Sequence, residues 1–436
     1  MTWADEKHCS SEISSRPFTA QDVAPIKRYG LLARNLQLST EELAKCHDIL
    51  KAIANVTGQT TLFPNLLTLT VAMDATSSDE IADCLLNLIP LSLYGINMSI
   101  MTSQAFPQVQ RILFALKVRQ PLSIQSFFFR SEGAFVEGCR MVELLNGWNS
   151  LRHVTIYGCL RPEVALAALA LPSLHSLALG TGESRGEPIE IGSVPTARAL
   201  RKLSLYYLDD YSSATNFINS LPNASLAEIT LSAYGSIAHL INFLLTLSRR
   251  RPVAVLRELD LRLLCNRDSE IAPALTFHDH VSSLLVFSNL VHLSIGINAP
   301  LSLTDEDVRQ MSLAWPRIQW LALCGTRQSP ASGKPSRCTL PALLWFAHHC
   351  AELAWLEIDL DAHVVVIPSG LPSEATQHSL RTLRVKHSPT ASSADVAQFL
   401  ARHFPGIRNI DGGEELGDMY RWIDVREELW RIANWQ

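Results

Sequence analysis

The chain has 436 residues, 47% of them hydrophobic, with a mean hydropathy of +0.11, so it can bury a large core and its composition excludes a disordered chain. Charged residues make up 18% and the net charge is −5, which leaves no basic excess to grip nucleic acid without regard to sequence. Cysteines at 9, 46, 84, 139, 159, 265, 324, 338 and 350 are odd in number and form no CxxC pair, and they read as reduced thiols of a cytoplasmic or nuclear protein.

Three N-x-S/T sequons begin at Asn55, Asn97 and Asn223. Residues Met1 to Lys7 lack the apolar stretch of a signal peptide, and the longest apolar run, 164–172, is about half of a membrane span. The expectation is a soluble intracellular protein.

In chain order, a helix is expected from Gln21 to Arg34, then Leu36-Gln37-Leu38, then a helix from Glu41 to Val56 capped by Thr40. Residues 1–61 therefore read as a helical N-terminal cap or linker. From 62 to 412 one phrase recurs, apolar at i, i+3 and i+5 with polar residues between. It reads Leu66-Leu69-Val71, Leu88-Leu91-Leu93, Ile124-Phe127-Phe129, Leu151-Val154-Ile156, Leu174-Leu177-Leu179 and Leu200-Leu203-Leu205. It continues as Leu226-Ile229-Leu231, Leu256-Leu259-Leu261, Leu290-Leu293-Ile295, Ile318-Leu321-Leu323, Leu353-Leu356-Ile358 and Leu380-Leu383-Val385, with a faded copy at Ile407-Ile410. The starts at 66 and 407 lie 341 residues apart over twelve steps, a mean of about 28, within the range of leucine-rich repeats.

The phrase has a physical reason. In a short strand, i+3 and i+5 share one face because side chains alternate with period two, and the residue at i covers the start of the strand. Between phrases lie helix-like stretches such as Ile237 to Leu245 and Asp395 to Leu400, with apolar residues three and four apart. One such unit cannot bury its own apolar face, so neighbours must stack. The expected fold is an α/β leucine-rich-repeat solenoid, a curved horseshoe with short parallel strands on the concave face and helices on the convex face. Residues 413–436 complete it as a capping helix, with Trp422, Val425, Leu429 and Ile432 on one face and Trp422, Trp430 and Trp435 assigned to closing the core.

The segment Arg16-Pro17-Phe18-Thr19-x-x-Asp22, followed by Leu62-Phe63-Pro64-Asn65-Leu66-x-x-Leu69 and irregular repeats, resembles the mushroom-type fungal F-box/leucine-rich-repeat proteins. The resemblance implies a substrate-recognition part of a Skp1-cullin-F-box ubiquitin ligase adaptor. The residues ahead of Arg16 are too few and too polar to form an F-box, so Skp1 is an implied partner only if an F-box lies upstream. The alternative is a stand-alone interaction scaffold without a ubiquitin link.

Motifs for chemistry are missing from the sequence. Gly333-Lys334 would need Gly at 328 and Ser or Thr at 335 to make a phosphate loop, and Gln328 and Pro335 stand there. Cys338, His348, His349 and Cys350 form the densest possible metal group, but adjacent histidines on a helix point about 100° apart, and a repeat helix with a buried Cys is the better reading. No metal, no cofactor and no enzymatic activity are expected. A GTPase-activating repeat protein would need a projecting rim residue, for which Arg267 is one candidate.

If i+3 and i+5 point inward, then i+2, i+4 and i+6 form columns on the concave face. The i+2 column holds Glu228, Glu258, His292, Trp320 and Trp355; Asp260 stands at i+4 and Arg262 at i+6 of one unit. Paired Trp320 and Trp355 read as binding anchors or as a sheet-stabilising pair. Neighbouring Glu228, Glu258 and Asp260 hint at a basic partner segment, with Arg262 near enough to neutralise part of the patch. The carboxylates lack the burial and pocket that acid/base catalysis needs. Glu357 with Arg384, and Asp359 with Lys386, read as self-satisfied cross-strand pairs. The expected partner-binding set is Glu228, Glu258, Asp260, Arg262, His292, Trp320 and Trp355, with a protein as the ligand and neither nucleic acid nor membrane.

Overall fold

The computed structural model describes residues 20–42, 63–74, 83, 85–86, 90, 92–119, 124–131, 138–158, 161–180, 197–222, 224–250, 255–264, 275–297, 301–325, 338–363, 365–386, 388–390, 392–412 and 416–435. The chain divides into two compact units, residues 1–158 and 159–436.

In the first unit, α1 (Ala20–Gly30) precedes β1 (Asn35–Ser39), β2 (Thr68–Met73), β3 (Gly95–Ile100), β4 (Ser126–Ser131) and β5 (His153–Tyr157). These strands pair in sequence order, all parallel. Helices α2 (Phe106–Arg119) and α3 (Gly138–Leu145) lie between β3 and β4 and between β4 and β5 in sequence. The register is the repeat made visible: Leu69, Ile96, Phe127 and Val154 stand opposite one another, as do Val71, Met98, Phe129 and Ile156. All of these are at most 1% exposed.

That register corrects one copy of the phrase. Leu88-Leu91-Leu93 fits the letters, but Leu93-Ile96-Met98 sets the strand. The starts at 66, 93 and 124 then give steps of 27 and 31 residues in place of 22 and 36. A leucine-rich stretch offers two overlapping matches, and the sheet selects the one that places Leu93 in the core and turns Asn97 outward, where it donates to Thr70 Oγ1 at 3.1 Å. A second difference concerns residues 1–61, expected as a helical cap or linker ahead of the repeats, with Leu36-Gln37-Leu38 between its two helices. These residues contribute β1, whose Leu36 and Leu38 stand opposite Leu69 and Val71. The expected helix over 21–34 ends at Gly30, and residues 43–56 of the next expected helix lie outside the described residues.

The second unit carries β6 (Ser176–Gly180), β7 (Lys202–Leu208), β8 (Glu228–Ala233), β9 (Glu258–Leu263), β10 (Leu275–Thr276), β11 (His292–Ile297), β12 (Leu301–Ser302), β13 (Trp320–Gly325), β14 (Trp355–Ile358), β15 (Thr382–Val385) and β16 (Asn409–Gly412). All but β10 and β12, which pair with each other, follow in order in one parallel sheet. Its helices are α4 (Pro162–Leu169), α5 (Tyr211–Asn219), α6 (Ile237–Arg249), α7 (Phe277–His280), α8 (Asp305–Ala314), α9 (Leu344–His349), α10 (Ser393–His403) and α11 (Leu416–Trp435). Short polar residues start them: Asp210 accepts from the Ser213 N–H, Ser236 from His239, and Ser392 from Asp395. Thr304 and Asp307 form a reciprocal capping box.

Two backbone devices repeat along this sheet. One carbonyl in each repeat accepts two successive N–H groups of the next: Ala227 O from Arg257 and Glu258, Arg257 O from Val291 and His292, Val291 O from Gln319 and Trp320, and Gln319 O from Ala354 and Trp355. The N–H of the leading residue also bonds back three positions, as Leu290 to Phe287, Ile318 to Trp315, Leu353 to Cys350 and Ile407 to Phe404. Those i−3 residues are all buried, a further position of the repeat that the phrase omitted. Cys350 is one of them. Its thiol points at the Ser312 and Trp315 carbonyls at 3.6 and 3.5 Å, and burial pushes it up to about 12.

The C-terminal helix closes the sheet with Trp422, Val425 and Leu429, all buried. Trp422 Nε1 donates to Ser388 O at 2.6 Å, and its indole lies on Gly412, where an added Cβ would come within 2.5 Å of the ring. Trp430, assigned to the same cap, is 70% exposed and does not close the core; the side chain of Trp435 lies outside the described residues.

Candidate protein-binding face

Helices fill one side of the second unit's sheet, and the outward positions of the strands make up the other. The carbonyl ladder holds Lys202, Glu228, Glu258, His292, Trp320, Trp355, Thr382 and Asn409 in one row across neighbouring strands. Inward neighbours Leu259, Leu293, Leu321, Leu356 and Leu383 are fully buried, so the row cannot slip by one residue without exposing all of them.

Within the row, planar groups stack. The His292 and Trp320 rings lie 5.4 Å apart at 14°, and Trp320 and Trp355 lie 4.1 Å apart at 7°. The second spacing is below the roughly 4.8 Å between strands, so the rings stand on edge and lean together. Arg384 extends the stack from β15, with its guanidinium carbon 5.6 Å from the Trp355 ring. All four groups are half-buried, and the indole N–H of Trp355 is enclosed with no acceptor among the described residues.

Charges flank the stack. Lys202 Nζ meets Glu228 at 2.6 Å, a pair that the expected acidic patch did not contain and that raises the lysine above its ordinary value, chiefly through that hydrogen bond. The patch is accordingly smaller than expected, with Glu258 and Asp260 as its members. Arg262 lies 3.3 Å from Asp260 Oδ2, while Asp260 Oδ1 is buried with no partner among the described residues. Burial lowers His292 below its ordinary value, although Asp260 and Glu258 pull it upward. At the other end Arg384 joins Asp411 at 2.8 Å and Glu357 at 3.4 Å, and Lys386 reaches Glu357 at 3.1 Å.

All seven expected face residues therefore lie on neighbouring strands β8, β9, β11, β13 and β14. Lys202 and Arg384 were missed as members. Extending the i+2 column one unit back finds Lys202, and the diagonal from Trp355 to the i+4 position of β15 finds Arg384. Arg267 and the side chain of Cys324 lie outside the described residues.

Repeated inward triplets, one parallel strand per repeat and a shared register decide the fold class. The chain is a leucine-rich-repeat solenoid. No family model and no curated protein sequence matches it. Among solved structures, the solenoid is similar to a chain of the yeast Rad7–Elc1 complex at 15% identity and a TM-score of 0.41, covering 89% of this chain and 92% of that one. It is similar to a leucine-rich-repeat protein of Leptospira interrogans at 14% identity and a TM-score of 0.34, covering 90% and 99%. A chain of the Drosophila Toll–Spatzle complex matches at 14% identity and a TM-score of 0.36, covering 84% of this solenoid and 48% of its own length. Among the described residues no helix is long and apolar enough to cross a membrane.

Proposed function

We propose that the chain binds a protein partner on the outward strand face of residues 202–411, with the stack His292–Trp320–Trp355–Arg384 as its anchor. The stack is the observation that carries this reading. A cross-strand aromatic pair stabilises a sheet by about 0.5–1.5 kcal/mol, which two rings would supply. Here three rings and a guanidinium form a continuous ridge, ring edges outward, on which an extended segment can bury apolar surface. Glu258 and Asp260 at its end favour a segment that carries a basic residue beside an apolar one.

The finer reading is a substrate-recognition part of an F-box-type ubiquitin ligase adaptor in the cytoplasm or nucleus. It is supported by the resemblance of the Arg16 and Leu62 segments to that family. A stand-alone scaffold without a ubiquitin link is the second reading.

Two experiments test these readings. The double substitution Trp355→Ala with Glu258→Ala is expected to abolish capture of a stable partner while leaving the melting temperature within a few degrees of wild type; capture unchanged by it refutes this face. Co-purification with Skp1 supports the adaptor, and a stable partner recovered repeatedly without Skp1 supports the scaffold.

A further inference from the structure

The last repeat of the second unit borders a cavity of about 740 Å³ lined by Arg381, Arg408, Arg426 and Arg431 with a single carboxylate, Glu427. That balance is opposite to the chain's net charge of −5. Two elements fix the cations. Arg381 and Arg408 occupy equivalent positions of successive repeats, since the Arg408 N–H donates to Arg381 O at 2.9 Å. Arg426 and Trp430 lie one helical turn apart on α11, on the same face. Arg431 is held by Glu428 at 2.6 Å, and Arg381 donates to Gly406 O at 3.2 Å. Arg408 and Arg426 have no carboxylate partner among the described residues.

Arg381 and Arg408 directly precede neighbouring strands β15 and β16, so two like charges enter the sheet side by side. The walls between these cations are apolar: Ile407, Ile410 and Leu429 are nearly buried, while Trp430 is 70% exposed. The volume is that of a site for a few side chains. Guanidinium forks match carboxylates and phosphates two bonds at a time, and the exposed indole of Trp430 beside them favours a ligand that carries an apolar group next to its anions.

We propose that this cavity binds an acidic peptide segment of a partner protein, with carboxylates on Arg408 and Arg426 and an apolar side chain against the exposed ring of Trp430. The site is separate from the stacked face and takes a ligand of opposite charge, so the two proposals stand or fall apart.

The test is fluorescence anisotropy of a fluorescein-labelled Glu-Glu-Leu-Glu-Glu-Trp-Glu-Glu peptide with the full chain. Saturable binding is expected that weakens as salt rises and falls at least about tenfold in the Arg408→Ala, Arg426→Ala double variant. The same peptide with Gln for Glu should not bind, and the Trp355→Ala, Glu258→Ala variant should bind the Glu peptide as wild type. Should the alanine variant fail to fold, Arg408→Lys with Arg426→Lys keeps the charge and removes the fork, and a several-fold loss is expected. No saturable binding, equal binding by the arginine variants, or equal binding of the Gln peptide overturns the proposal. Full displacement by millimolar inorganic phosphate also overturns it and assigns the cavity to a small anion.

Discussion

The outward strand faces of the two units share a backbone pattern and differ in chemistry. In residues 1–158 the outward positions include Thr68, Thr70, Asn97 and Thr155 together with the exposed Arg130 and His153, none of them a carboxylate, and Asn97 bonds to Thr70 across the strands. Its aromatic pair, Phe128 and Tyr157, meets at 61° with centroids 5.9 Å apart. In residues 159–436 the equivalent positions hold near-parallel rings, a stacked guanidinium and carboxylates. Inward positions are apolar and buried in both units. Register is set inside, where one misplaced side chain opens a cavity, and recognition is written outside, where the backbone imposes no residue type.

The largest effects should ignore this difference. Phe127→Ala in the first unit should cost about 3–5 kcal/mol and Leu321→Ala in the second about 2–5 kcal/mol, read as unfolding free energy by denaturant titration. A near-neutral result in one unit alone would break the equivalence of the inward rows. Arg250→Ala comes next at about 2–3 kcal/mol, because this partly buried cation donates to the carbonyls of Ile218 in the last turn of α5 and of Leu221 and Ala224 just beyond it, with no carboxylate partner among the described residues.

Outward substitutions should then separate the faces. Trp320→Ala should lower stability by about 1–2 kcal/mol and abolish partner capture, whereas Phe128→Ala should leave capture intact. Equal loss of capture from both would spread the binding surface beyond the stack. A smaller effect is pH dependence. His292 is lowered by burial below its ordinary value of 6.5, with Glu258 and Asp260 on β9 opposing that shift and Trp320 stacked on it from β13. Below 6.5 the unfolded chain takes up the proton first, so stability falls with pH until the folded value is reached, and above 6.5 the group contributes nothing. Thermal melts between about pH 7.5 and 5.5 should show a steeper fall for wild type than for His292→Gln; parallel slopes would remove histidine from the account. The smallest change is Asp411→Asn, below about 1 kcal/mol because the pair with Arg384 is largely solvated.

Much of the array was legible because an inward leucine in a short strand has one physical meaning. The copies starting at 124, 151, 174, 200 and 226 fall on observed strands in the expected register. The copy at Leu88 failed because apolar letters at the right spacing occur twice within a few residues, and only pairing with Thr68–Met73 decides between them. Trp430 failed for a related reason: helical periodicity places a residue on a face but does not say how far the neighbouring repeat extends beneath it.

The face divides along the same line. That Glu258, His292, Trp320 and Trp355 share a row follows from period two and equal strand offsets, which the sequence by itself determines. Which of them meet is a tertiary matter. The lean of the rings to 4.1 Å, the capture of Glu228 by Lys202 and the reach of Arg384 to Trp355 depend on rotamers and on sheet geometry, which no spacing rule contains. The arginine cavity needed both the last repeat and a helix that follows it, brought together only when α11 folds back on β16.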